Sequence, residues 1–590
     1  MDDVLKTPQV EPAMQDQVRK LTELKPSTPL GNIALALSGG GFRAACFGLG
    51  VMNYLQRTAY GVNNLSLLDR VSFITSTSGG SILNACYTSR MIEGVSFRQF
   101  YEEMRNFMQG DKLIGEVFKL LNESDKWNEV GTKLDGEKKL EVRKNPNLIN
   151  GFAKAYDSLF FRGNTFDLYY KNPSDKKVTI CFNSTEFNNG QYFRFYNSGD
   201  ASKVFMIGNY YLNFNNADVA RRLKLSDMVA ASSCFPSGFE PIIYPNDFIH
   251  EGLNDVDQML DAITYKNNNP LNQSAIYKKQ FSLMDGGVVD NQGLESMMAE
   301  DDFRDSQNKN RFDLMMVCDV GSYFLSPLET PLVNTKGWTS KWSIKSIFRL
   351  MFWAIPVAIL CILSIITGIW RPVGLLLLIP SVAIAAIHIL IVSWFNKKKS
   401  GNAGSWSNTI FSKIDFFLTL KLNVIIQMLK ARLASVVLLA SDVFMKQIRK
   451  LYYGDFYRAP FYKDRTLSCF IYEFAAAHKQ TREQNLNKKD VAWYKQVQAE
   501  LSPSKAIEDV ATEATAMGTT LWFDANEEKD KKREKIIATG QFTICYNLIK
   551  HIYRMEIIKP EVKNDTNVQD LKQRLLADWA KFKTDPMWAV

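Results

Sequence analysis

The sequence predicts an α/β chain interrupted by a helical membrane hairpin. Three observations carry this reading. Strand-length apolar runs alternate with helical stretches over the first 330 residues, two long uncharged stretches fill 350–395, and a further strand and helix follow. At 590 residues the chain exceeds one ordinary domain, for which roughly 100 to 200 residues is typical. Two or three structural units are expected. A hydrophobic content of 46% can bury a large core and excludes a collagenous or disordered chain. The net charge of +9 is far from the dense basic signature of a nucleic-acid binder and suits a membrane surface better.

Taken in order, residues 1–30 have neither a basic start nor an apolar stretch. They read as an N-terminal extension and not as a signal peptide. Residues 31–330 form the first domain: 33–37, 71–75, 178–182 and 314–320 are strand-length apolar runs, with helical stretches such as 100–108 between several of them. Asn188-Asn189-Gly190 predicts a hairpin turn between the strand at 178–182 and the one at 191–195.

Mean hydropathy is only −0.17, because the apolar residues are concentrated further on. Residues 350–369 and 373–395 are uncharged. About 20 apolar residues at 1.5 Å rise cross a hydrocarbon core of roughly 30 Å, so each stretch can span. Buried core helices are usually shorter and carry more polar punctuation. Trp353, Trp370 and Trp394 lie near the ends, where indoles favour the interface. Lys336, Lys341, Lys345 and Arg349 precede the pair and Lys397, Lys398 and Lys399 follow it, while only Arg371 sits in the turn. Both ends should therefore face the cytosol. Within 410–450, Phe417, Leu420, Val424 and Met428 fall at helical spacing among Lys413, Lys421, Lys430, Arg432, Lys446, Arg449 and Lys450. Such a helix could lie along an anionic interface or pack on the soluble domain. The hairpin and this helix make up a unit at 336–450. Residues 455–560, with a strand at 467–474 and a helix around 536–553, return to complete the first domain, and 561–590 is a helical tail.

Cys46, Cys86, Cys181, Cys234, Cys318, Cys361, Cys469 and Cys545 include no C-x-x-C pair and sit in apolar runs, as reduced thiols in a reducing compartment. The four histidines, His250, His388, His478 and His551, leave no zinc cluster to expect.

Ser38-Gly39-Gly40-Gly41-Phe42-Arg43-Ala44 follows the strand at 33–37 and precedes a helix-like run at 45–55. Consecutive glycines let backbone N–H groups converge on an anion beside a helix N-terminus. The anion could be a phosphate, since Gly39, Gly41 and Ala44 also satisfy G-x-G-x-x-A, or a transient oxyanion. A dinucleotide site needs an acidic residue near the end of the next strand, but that strand runs into Ser76-Thr77-Ser78-Gly79-Gly80. Here Ser78 occupies a strand-to-helix turn with Ser81 to Tyr87 as the helix start, so it is the candidate nucleophile. Ser76 stands where G-x-S-x-G has its first glycine. No histidine occupies a triad context, so a carboxylate must be considered as base, and Asp285 is the candidate. Asp285, in Met284-Asp285-Gly286-Gly287-Val288, sits at a glycine-rich strand end from which it can reach Ser78.

Together SGGGFRA, STSGGS and MDGGVVDNQG, in that order, resemble the patatin-like phospholipase family, which is related to cytosolic phospholipase A2. Residues 231–236 (ASSCFP) and 182–190 (FNSTEFNNG) are similar to further family segments, so the resemblance covers roughly 30–325, with a fainter echo in 465–555. It implies a three-layer α/β/α domain around a central mixed sheet, a Ser78/Asp285 dyad and acyl-ester hydrolysis without a cofactor or metal. It also implies an oxyanion hole from Gly39, Gly40, Gly41 and Gly79. Arg43 is expected to brace the glycine loop or meet a lipid phosphate, with Gly80, Gly286 and Gly287 in support and Asp290 and Asn291 fixing the strand end. The implied substrate is a membrane phospholipid acyl ester, met by a cytosol-facing domain that 350–395 anchors to the bilayer. A thioesterase or acyltransferase would use the same dyad, and a catalytically idle membrane scaffold is the alternative from another class.

Overall fold

The computed structural model describes residues 29–590, apart from 62, 64, 124–126, 128, 172–177, 189, 198–206, 237, 266–279, 308, 322–331, 333–335, 400–417 and 487–499. Most of the N-terminal extension, Asn189 of the expected turn, the end of the first domain at 322–330, and Lys413 and Phe417 of the basic segment lie outside the described residues. The chain divides into two units: Met1–Leu325 with Phe444–Val590, and Ser326–Val443.

An eight-stranded mixed sheet organises the larger unit. In chain order its strands are β1 (Ile33–Leu37), β2 (Val71–Thr77), β3 (Thr179–Glu186), β4 (Gln191–Tyr196), β5 (Ile242–Tyr244), β6 (Phe281–Asp285), β7 (Leu314–Asp319) and β8 (Thr466–Phe470). Their spatial order is β5-β6-β3-β2-β1-β7-β8, with β4 also on β3. β1, β2, β3, β7 and β8 run parallel, whereas β4 and β6 are antiparallel to β3. Helices α1 (Gly41–Arg57), α2 (Gly79–Ile92), α3 (Leu225–Ser233) and α4 (Leu294–Ser306) belong to the first segment.

Parallel strands covered on both faces read as near-continuous apolar runs. β1 (IALAL) is buried throughout. Its Ile33, Leu35 and Leu37 enter one core with side chains of α1 and α2, and Ala34 and Ala36 enter a second with Leu294 and Met297 of α4. Two cores on opposite sides of one sheet make three layers.

The smaller unit contains α5 (Ile344–Phe352), α6 (Ala354–Thr367), α7 (Arg371–Lys399) and α8 (Leu422–Leu438). Ile344–Thr367 and Arg371–Ser393 are each long and apolar enough to cross a membrane. Where the sequence suggests one unbroken first helix, the structure has a break at Trp353, between α5 and α6. Pro356 explains it, because its ring meets the carbonyl of the fourth residue before it and it has no N–H to donate. Gly368, at φ 77°, ends α6 in the left-handed conformation that glycine adopts without strain.

The return segment holds α9 (Met445–Arg458), β8, α10 (Lys532–Ile558) and α11 (Thr566–Thr584). The basic stretch expected as one helix over 410–450 is helical from Leu422 onward, where α8, a π-helical turn at Leu439–Phe444 and α9 follow one another, α8 in the smaller unit and α9 in the larger. Apolar residues decide α9, since Phe456 is fully buried in the second core. β8 ends at Phe470 rather than 474 and supplies an edge strand, with Cys469 opposite Cys318 of β7. Arg465 locks this return by a buried fork on Asp301 of α4, both nitrogens at 3.0 Å.

Candidate active site

Sheet register explains how residues 78 and 285 become neighbours. β4 pairs with Cys181 through Glu186 of β3, so it occupies one edge of that strand. β2 and β6 must share the other edge. β2 runs parallel to β3 as far as Thr77 opposite Asn183, and β6 arrives antiparallel as far as Asp285 opposite Ser184. The two strand ends thus meet head to head, one register step apart. Ser78 follows the first and Asp285 terminates the second, so the Ser78 hydroxyl comes near enough to the Asp285 carboxyl to lower its pKa.

Ser78 has φ 53° and ψ −121°, a conformation that costs a non-glycine residue about 1 to 3 kcal/mol. The surrounding bonds hold it there. Its N–H donates to Ser232 Oγ at 3.1 Å, and Ser232 in turn donates to the Asn183 carbonyl at 2.6 Å. A Cβ at Gly79 would lie 2.1 Å from the Gly41 carbonyl oxygen, and one at Gly80 2.3 Å from that of Leu37, so only glycine lets α2 start this close to the loop. Ser76 fits in place of the elbow's usual glycine because its hydroxyl is fully used. It accepts from Asn84 at 2.9 Å and donates to the Cys181 carbonyl at 3.2 Å.

Asp285 is buried, and burial raises its carboxyl pKa to about 6, against the lowering effects of Ser78, the Gly287 N–H and Arg449. Gly287 N–H donates to Asp285 Oδ1 at 2.6 Å, and the Asp285 N–H is tied to the Cys234 carbonyl at 2.9 Å. A Cβ on Gly286 would lie 2.4 Å from the Asn183 carbonyl. Asp290 accepts from the backbone N–H of Gln292, Gly293 and Glu295, at 3.1, 2.9 and 2.8 Å, and so fastens the start of α4. Burial raises its pKa to about 6 as well.

The glycine loop lies beside this pair because β1 adjoins β2. Gly39 differs from the other three glycines assigned to the oxyanion hole. Its N–H donates to the Asn291 carbonyl at 3.0 Å, so it anchors the loop and has no free donor. The N–H groups of Gly40, Gly41 and Gly79 make no hydrogen bond within the protein among the described residues. Arg43 braces rather than reaches outward. It donates to the carbonyls of Met517 at 2.5 Å and Val320 at 2.9 Å, and burial lowers its pKa. The Phe42 N–H donates to the Thr520 carbonyl at 2.7 Å.

Ser232, Asn183, Thr520 and Arg449 are participants that motif reading did not single out for these roles. Ser232 and Asn183 lie inside segments already set apart as similar to family segments. Nothing local marks the other two, whose contacts are with residues more than 150 positions away in the chain.

Residues 35–298 match the family model described as patatin-like phospholipase. No curated protein matches the chain. The matched region carries β1 to β6, and its mixed sheet with flanking helices is the fold expected of that family.

Proposed function

Because residues 35–298 form a patatin-like phospholipase domain, and the chain is therefore a lipid acyl hydrolase, we propose that it cleaves phospholipid acyl esters through Ser78 and Asp285. The head-to-head meeting of β2 and β6 carries this reading. Ser78 Oγ attacks the ester carbonyl carbon while Asp285 takes its proton. The oxyanion is held by the N–H groups of Gly40, Gly41 and Gly79, and one such donor contributes about 3 to 4 kcal/mol in the transition state. Collapse expels the glycerol oxygen, which takes the proton back from Asp285. Water, deprotonated by the same carboxylate, then attacks the acyl-serine carbonyl; the bond to Oγ breaks, Oγ takes the proton back from Asp285, and the fatty acid leaves. A carboxylate near pKa 6 is mostly ionised at neutral pH yet basic enough to accept the proton.

Residues 350–395 anchor the protein in the bilayer as a two-helix hairpin, with the catalytic unit on the cytosolic side. The two apolar helices and the excess of Lys and Arg at the outer ends over the turn support this topology. Tethering brings lipids to the site laterally at high effective concentration.

Incubation of Ser78→Ala and Asp285→Asn proteins with phosphatidylcholine vesicles tests the dyad. Both variants should lose fatty-acid release by at least a hundredfold, and a serine-directed fluorophosphonate should label Ser78 on peptide mapping. Full release by both variants, or a label elsewhere, would overturn the assignment.

A further inference from the structure

Arg449 lies 164 positions from Asp285, in α9, whose first residue Met445 comes two after Val443, the last of the smaller unit. Its Nε donates to the Gly287 carbonyl at 2.6 Å. That carbonyl belongs to the residue whose N–H holds Asp285 Oδ1, so one peptide pair links guanidinium and carboxylate. A Cβ at Gly287 would stand 3.2 Å from Arg449 Nη2 and 2.9 Å from Asp285 Oδ1, which places the fork directly over this turn. α9 is in turn fixed to the following strap: Tyr457 donates to Gln292 Oε1 at 3.0 Å, and Gln292 Nε2 donates to Asp319 at 2.6 Å.

We propose that Arg449 is a positioning residue for the catalytic base: it clamps the Asp285-Gly286-Gly287 turn through the Gly287 carbonyl and keeps Asp285 aimed at Ser78. The inference rests on Asp285 acting as base. Arg449 also adds a positive charge beside a buried carboxylate. The other groups facing Asp285 are the Ser78 hydroxyl, Cys234 and Tyr156, none of them cationic. Arg449 faces Asp290 as well. It therefore lowers the Asp285 pKa against the upward push of burial, and removing it moves the base toward the protonated form.

The test uses the full chain on phosphatidylcholine vesicles, with kcat and KM measured across pH for Arg449→Met and Arg449→Lys. Arg449→Met should lower kcat about tenfold or more with little change in KM, and should move the acid limb of kcat/KM upward by about one pH unit. Arg449→Lys keeps the charge without the fork, so it should lose kcat while the limb stays. If Arg449→Met does not fold by circular dichroism, Arg449→Gln gives the same readout. An unshifted limb and unchanged kcat in the folded Met or Gln variant would overturn the proposal. Asp285→Asn separates the two failures: if it is dead while Arg449→Met behaves as the parent, only the role of Arg449 falls. If it is fully active, the base assignment itself falls.

Discussion

At the scale of single residues, the site depends on a hydroxyl held in a strained turn and a carboxyl held in a dry one. Ser232 connects the Ser78 turn to the sheet, accepting from the Ser78 N–H and donating to the Asn183 carbonyl. Ser232→Ala leaves that buried N–H without a partner, at a cost of about 1 to 3 kcal/mol. The expected result is a lower thermal midpoint together with reduced kcat, because the elbow relaxes. An unchanged midpoint would show that the turn is held by its glycines alone. Acidification acts on the same carboxyls. The Asp285 pKa is raised to about 6, so activity should fall as pH drops through about 6 and the base becomes protonated. Stability has the opposite sign. Asp285 and Asp290 take up protons more readily folded than unfolded, so their contribution grows on acidification and is lost as pH rises through about 6. Inactivation just below pH 6 should therefore reverse on neutralisation, with circular dichroism unchanged throughout.

At the scale of elements, α1 and α10 approach each other closely at two glycines. A Cβ on Gly50 would lie 2.0 Å from the Ile537 carbonyl oxygen, and one on Gly540 2.2 Å from that of Phe47. Replacing a mid-helix glycine by alanine ordinarily gains about 1 kcal/mol of helix propensity. Here the obstacle is backbone on both sides, which no rotamer change relieves, and overpacking of this kind costs about 1 to 3 kcal/mol. Gly540→Ala should consequently lower the thermal midpoint, where propensity alone would raise it. The same contact explains why a return helix from the end of the chain can seat itself so deeply. Trp579 and Phe582 of α11 pack behind it, against Tyr546 and Phe542.

At the scale of the whole molecule, the larger unit is discontinuous. Its glycine loop is held by Met517 and Thr520, and its sheet is closed at one edge by β8, all from beyond the apolar helices. A chain ended at residue 330 should leave the β7 edge bare and the loop unsupported. It should be insoluble and take no fluorophosphonate label, and co-expression of 444–590 should restore both solubility and labelling. A soluble, labelled 1–330 fragment would contradict this. The sequence alone determined most strands of the first segment, though not β5, the glycine loop of SGGGFRA at a strand end, the serine of STSGG at a strand-to-helix turn, and two stretches long enough to span a bilayer. All of these follow from local chemistry: alternating or continuous apolar runs, glycine's freedom at φ 140° and 60° in Gly40 and Gly41, and length. What only the tertiary structure decided is non-local. Pairing register set Asp285 opposite Ser184 and so beside Ser78, Asn291 drew off the Gly39 donor, and burial in the second core claimed α9. Partners of this kind are chosen by which edge or face remains open once the rest has packed, and that information is not carried by any single segment.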